Sequence, residues 1–139
     1  MPFPRILHCL VCEQIRRERN NLSSILGFYG ITPDVDIIVQ RLGAPLGRLS
    51  FLLICGEGGG HYRLAFRIIS PTNETLIDAP PLDAEIRGYS PRYNLGLGIN
   101  AIRFTAAGIY TMRLFTDNAL VYETTFRVRE ALPGEIQPD

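Results

Sequence analysis

The chain has 139 residues, 46% of them hydrophobic, with fourteen basic and fourteen acidic side chains and a formal net charge of zero. That length makes one domain whose core needs no disulfide or metal staple, and the composition excludes disorder for the bulk of the chain. Every base is arginine, which excludes Schiff-base chemistry, a phosphate-loop lysine and a lysine general base, while the balanced charge argues against nucleic acid as a partner.

Residues 6–15 and 22–29 read as the first two strands, with Asn20-Asn21 as turn residues between them. A helix over 11–19 is the weaker reading: Glu13, Gln14 and the arginines favour one, but the apolar residues keep no helical stripe beyond Ile15. Arg16, Arg17 and Arg19, with Glu18 among them, read as a solvated strand end or turn. Residues 35–40 are rich in β-branched side chains and make a third strand, followed by a loop over 43–47. Residues 49–55 are apolar at nearly every position, as in a strand covered on both faces.

Gly56-Glu57-Gly58-Gly59-Gly60 then interrupts the chain, and 61–69 resumes with period two. Tyr62, Leu64, Phe66 and Ile68 point one way, and His61, Arg63, Ala65 and Arg67 the other. The two runs are expected to pair as a hairpin in the register that sets Leu53 beside Leu64 and Phe51 beside Phe66. Residues 70–73 make a turn, 75–78 a short strand, and the Pro80-Pro81 pair breaks the ladder over 79–83. Residues 93–104 read as extended structure loosened by Gly96 and Gly98. The runs 109–116 and 120–128 form a hairpin turning at Asp117-Asn118, with Tyr110, Met112 and Leu114 on one face of the first and Tyr122, Phe126 and Val128 on one face of the second. The expectation is an all-β, single-domain antiparallel sandwich of eight or nine strands over 1–130, with a flexible tail over 131–139.

The approach to the late strand, Phe104-Thr-Ala-Ala-Gly108-Ile-Tyr110-Thr-Met112, resembles that of immunoglobulin-like sandwiches. The resemblance implies that the Tyr110 hydroxyl bonds back to the corner before it, and that Met112 stands where a cysteine often does. Separately, Cys12-Glu13-Gln14-Ile15-Arg16 and Leu22-Ser-Ser-Ile25-Leu-Gly27-Phe-Tyr29-Gly30 resemble a family of small uncharacterised bacterial proteins with a Cys-Glu-x-x-Arg opening. That resemblance implies a fold and no activity.

Several constellations could carry chemistry. Cys9 and Cys12 have the spacing of a metal knuckle, but on a strand they point to opposite faces, and a second such pair is missing. Buried reduced thiols are the preferred reading. Cys55 and His61 flank the glycine loop as a nucleophile and base would, yet the preferred register buries the first and exposes the second. Gly56 to Gly60 lacks the lysine and helix of a phosphate loop, and Gly96-Leu-Gly98 lacks a dinucleotide fingerprint; both read as sites of unusual backbone angle or bulge, the first also as a mobile edge loop. Glu74, Asp78, Asp83 and Glu85 gather around the proline loop without a calcium-loop pattern. The Tyr89-Ser-Pro-Arg92-Tyr93 element carries residue types enriched at binding hot spots, in an expected loop.

The reading that results is a non-enzymatic sandwich acting by contact with another protein or with itself, through Tyr89, Arg92 and Tyr93. It uses no cofactor and no metal, and meets neither nucleic acid nor membrane. With no secretory signal pattern and an odd number of cysteines, a cytoplasmic setting is expected. The alternatives are a small metal- or thiol-dependent enzyme using Cys12, Cys55 and His61, and a module that binds a small ligand or carbohydrate in the 56–60 and 89–93 segments.

Overall fold

A computed structural model describes residues 3–19, 22–90 and 92–135. Ten strands run in chain order: β1 (Ile6–Arg17), β2 (Ser23–Ile31), β3 (Asp36–Val39), β4 (Arg48–Cys55), β5 (Gly58–Ile69), β6 (Thr75–Asp78), β7 (Leu82–Ser90), β8 (Tyr93–Asn100), β9 (Gly108–Thr116) and β10 (Ala119–Glu130). They form two sheets. One has the order β2-β1-β4-β8, and the other β3-β10-β9-β5-β6, with β7 also pairing with β5. The all-β sandwich is as expected. The strand count is higher, because β7 forms directly after Pro81 where a loop was expected. The helix considered for 11–19 is absent, as residues 11–17 belong to β1.

The order β1-β4-β8 corresponds to strands A-B-E of an immunoglobulin-like sandwich, and β10-β9-β5-β6 to G-F-C-C′. β3 lies parallel to β10, with Ile37 opposite Val128, so the sandwich is not wholly antiparallel. Tyr110 Oη donates to the Ala106 carbonyl at 2.7 Å, the tyrosine corner implied by the resemblance. Met112 is fully buried two residues on, in the expected cysteine position.

The two inner faces supply the core. Leu49, Phe51, Leu53 and Cys55 of β4 face Tyr62, Leu64, Phe66 and Ile68 of β5, together with Tyr110, Met112 and Leu114 of β9. Phe126 stacks on Tyr110 at 5.7 Å between centroids and lies 5.8 Å from Phe51, bridging the sheets. Each such large apolar side chain contributes roughly 1.5–3 kcal/mol on burial. Ile102 and Phe104 belong to no strand but are buried, their carbonyls accepting from Leu46 N–H and Gly43 N–H.

One expectation is overturned. β4 and β5 are not a hairpin, because they lie in opposite sheets. Leu53 and Leu64 do share the core, but across the sandwich rather than along a ladder. Two apolar faces can be buried by facing each other as well as by adjoining, and period-two alternation does not distinguish these arrangements. The link at Gly56-Glu57 therefore carries the chain between sheets rather than forming a mobile edge loop. Gly60 holds φ at +126°, and a Cβ there would press on the Tyr62 hydroxyl, which donates to Gly59 O at 2.6 Å. At the far end, Asp117 and Asn118 both have positive φ, as a two-residue hairpin turn requires.

Beyond β10, Ala131 N–H donates to Val39 O at 2.8 Å, and Arg129 pairs with Glu135. Residues 136–139 of the expected tail lie outside the described residues.

Candidate functional site: an arginine-lined groove

The thiols are core groups. Cys9, Cys12 and Cys55 are all fully buried and free. Burial pushes the Cys9 thiol up to about 12 and Cys55 up to about 11, and raises Cys12 as well. A nucleophile needs the opposite shift. Cys55 pairs in register with Ile6 and Tyr93, whereas exposed His61 sits on the other sheet opposite Glu85. The dyad is therefore not assembled. Among the described residues no group of three His, Cys, Asp or Glu side chains converges to hold a metal.

The carboxylates around the proline loop are not gathered: Asp78 ends β6, and Asp83 and Glu85 lie on β7, strands that both pair with β5. Asp78 is opposite Arg67, Asp83 opposite Arg63 and Glu85 opposite His61. Arg67 Nε donates to Asp78 Oδ1 at 3.1 Å. Each of these three acids thus has a basic cross-strand neighbour, an arrangement that stabilises a sheet, whereas Glu74 precedes β6 and has no register partner.

A different surface is concave. On the outer face of the four-stranded sheet, β4 turns Ser50 and Leu52 away from the core, and β8 turns Asn94, Gly96 and Gly98 the same way. The β1–β2 ribbon bends over this face: Ser50 Oγ donates to Glu13 O at 3.1 Å, and Ile15 reaches the bare backbone of Gly96. Between them lies a groove of about 440 Å³ whose lining includes Arg17, Arg48 and Arg92 together with Tyr93 and Asn94. Among the described residues no carboxylate lines it.

Glycines make the groove. A Cβ on Gly98 would collide with the Arg48 guanidinium, so its absence lets that group lie against the strand. There Arg48 Nη1 donates to Asn100 Oδ1 at 2.9 Å, which orients the fork. Neither Gly96 nor Gly98 has positive φ, so their role is space, not the unusual backbone angle expected of them. Burial and the neighbouring Cys55 thiol raise the Tyr93 hydroxyl above its ordinary value, while the Arg17 charge opposes them, which places Arg17 and Tyr93 in electrostatic reach.

The Tyr89–Tyr93 element is thus part strand end and only in part loop. Arg92 and Tyr93 line the groove. Tyr89 belongs to β7, and its side chain lies outside the described residues. Nothing in the sequence around Arg17 and Arg48 marks them as binding residues. The available signal was Gly-x-Gly inside a strand, since two glycines on one face clear the space above it.

No protein-family model matches the chain, the Cys-Glu-x-x-Arg segment at 12–16 included, and no curated protein matches it. Among solved structures it is similar to an immunoglobulin-like protein from Pseudomonas aeruginosa, with 14% identity and a TM-score of 0.38, over 92% of this chain and 98% of that one. It is also similar to a glycosyl hydrolase family 2 member from Bacteroides cellulosilyticus, with 13% identity and a TM-score of 0.42, over 75% of this chain and 17% of that one. The immunoglobulin-like architecture rests on the strand order and the tyrosine corner of the chain itself, and neither likeness brings an activity with it.

Proposed function

We propose that this chain is a non-enzymatic contact module that joins protein chains through the outer face of its four-stranded sheet, a second copy of itself being the first partner. The observation that carries this reading is the edge strand β2. Natural sheets protect their edges with charge, and residues 22–33 contain no charged side chain. Four of the ten exposed large hydrophobics among the described residues, Leu22, Leu26, Phe28 and Ile31, lie on or beside this strand, with Phe28 57% exposed. The register carries Ile31 and Phe28 across the sheet to the groove: Ile31 is opposite Leu10, Leu10 opposite Leu52 and Leu52 opposite Gly96, while Phe28 is opposite Cys12, Cys12 opposite Ser50 and Ser50 opposite Gly98. Arg92 and Tyr93 then form the groove end of the same surface.

An uncharged edge meets its own copy without electrostatic repulsion, and a two-fold pairing covers both edges at once. Sedimentation velocity of the purified chain tests this. The wild type is expected to form a dimer at micromolar concentration, and the Leu26→Ser/Phe28→Ser variant to be a monomer with Tm moved by no more than about 2 °C. A monomeric wild type, or a variant that still dimerises, overturns the reading.

A further inference from the structure

We infer that the groove is a carboxylate-binding site, and that it receives the acidic side chains of a peptide segment on a partner protein; this rests on the outer face being a contact surface. The groove has a floor of bare backbone at Gly96 and Gly98, and its rim carries guanidinium groups from three separate elements: Arg17 from the ribbon, Arg48 from β4 and Arg92 before β8. A guanidinium offers a planar fork that matches a carboxylate with two parallel hydrogen bonds. The Arg48 fork is already oriented by Asn100 and by the missing side chain at position 98. A group held in its binding geometry loses less entropy when ligand arrives.

The surroundings suit an extended acidic segment. The groove volume of about 440 Å³ lies within the range of pockets that take small ligands or a few residues of peptide. Ile15 and Leu52 offer apolar surface to a peptide's methylene groups, and the Asn94 amide offers both a donor and an acceptor to its backbone. The chain as a whole has no net charge, so the positive character belongs to this concavity and is not a general property of the surface. That favours a short acidic stretch over a polyanion such as nucleic acid, which needs a broad basic field.

The test is fluorescence anisotropy of labelled hexaglutamate titrated with the full chain at low salt, with hexaglutamine as the uncharged control. Saturable binding of hexaglutamate alone is expected. Arg48→Gln should weaken it about tenfold or more. Gly98→Ala keeps every charge and displaces only the Arg48 fork, so it should weaken binding by about fivefold or more, which general electrostatic attraction does not predict. Arg63→Gln, on the other sheet, should change it by less than about twofold.

Absence of hexaglutamate binding, equal binding of hexaglutamine, no loss in Arg48→Gln and Gly98→Ala, or an equal loss in Arg63→Gln overturns the assignment. So does inorganic phosphate that displaces the peptide at equimolar concentration, which would make the site a phosphate site. The Leu26→Ser/Phe28→Ser variant separates the two readings. If it is monomeric like a wild type that never dimerised, yet binds hexaglutamate, the groove stands and the edge contact falls; a wild type that dimerises, with a monomeric variant, yet ignores the peptide shows the reverse.

Discussion

The Tyr110 hydroxyl donates to the Ala106 carbonyl at 2.7 Å, while the Tyr110 ring lies 4.9 Å from Phe104 and 5.7 Å from Phe126. One side chain thus closes the corner before β9 and fills the centre of the core. The two roles separate by substitution. Tyr110→Phe keeps the packing and leaves the Ala106 carbonyl without this donor, so it should cost about 1 kcal/mol, a fall in Tm of roughly 3–4 °C. Tyr110→Ala opens a cavity and should cost about 3–5 kcal/mol. Equal losses in the two variants would show that the hydrogen bond, not the ring, dominates.

The three buried thiols should resist a disulfide exchange reagent in the native chain and react together once denaturant unfolds it. The raised values of Cys9 and Cys55 also set the sign of the alkaline response. Their folded-state values, about 12 and about 11, stand above the ordinary 9.0, so their stabilising effect is full below pH 9.0 and is lost as pH rises through those values. Cys55→Val should therefore lose less Tm than wild type between about pH 8 and about pH 11. One thiol that labels quickly at neutral pH would contradict the burial argument.

Two glycines should respond differently to alanine. Gly27 holds φ at +65°, and its missing Cβ leaves room for the Glu13 side chain, so Gly27→Ala should destabilise by about 1–2 kcal/mol. Gly98 has an ordinary extended backbone and faces only the flexible Arg48, so Gly98→Ala should stay within about 0.5 kcal/mol of wild type. Thermal denaturation of the pair checks both, and confirms that the groove variant is folded.

Glu135 is held down to about 2 by hydrogen bonds from Arg129 and from the Leu132 N–H. A depressed carboxylate stabilises its contacts above its ordinary range, and those contacts are lost as pH falls through about 2. The pair is at the surface, so global stability should move little. Glu135→Gln should instead speed amide exchange at Leu132 at neutral pH. Unchanged exchange there would show that the fold-back of residues 131–135 does not depend on this side chain.

Much of this arrangement is legible in the sequence, for a local reason. Alternation over 61–69 names the inward side of β5, and Asp117-Asn118 names the turn of the last hairpin; both are properties of a few adjacent residues. The strand formed by residues 82–90 was hidden behind Pro80-Pro81, because a proline pair marks where a ladder must stop but not how soon the next begins. The groove residues were half visible. Tyr93 and Arg92 stand out by residue type, whereas Arg17 and Arg48 are ordinary surface arginines until the ribbon folds over Gly96 and Gly98.

By itself, then, the sequence determined every strand but β7, their inward faces and the burial of the cysteines, since each depends on period-two patterning or on nearby residues, and the tyrosine corner followed from the resemblance at 104–112. Only the tertiary structure decided that β4 and β5 lie in opposite sheets, that Cys55 and His61 are kept apart, and that three distant arginines share one concavity. Apolar patterning fixes which face of a strand must leave water. Which other strand covers that face is settled by packing between residues far apart in the chain.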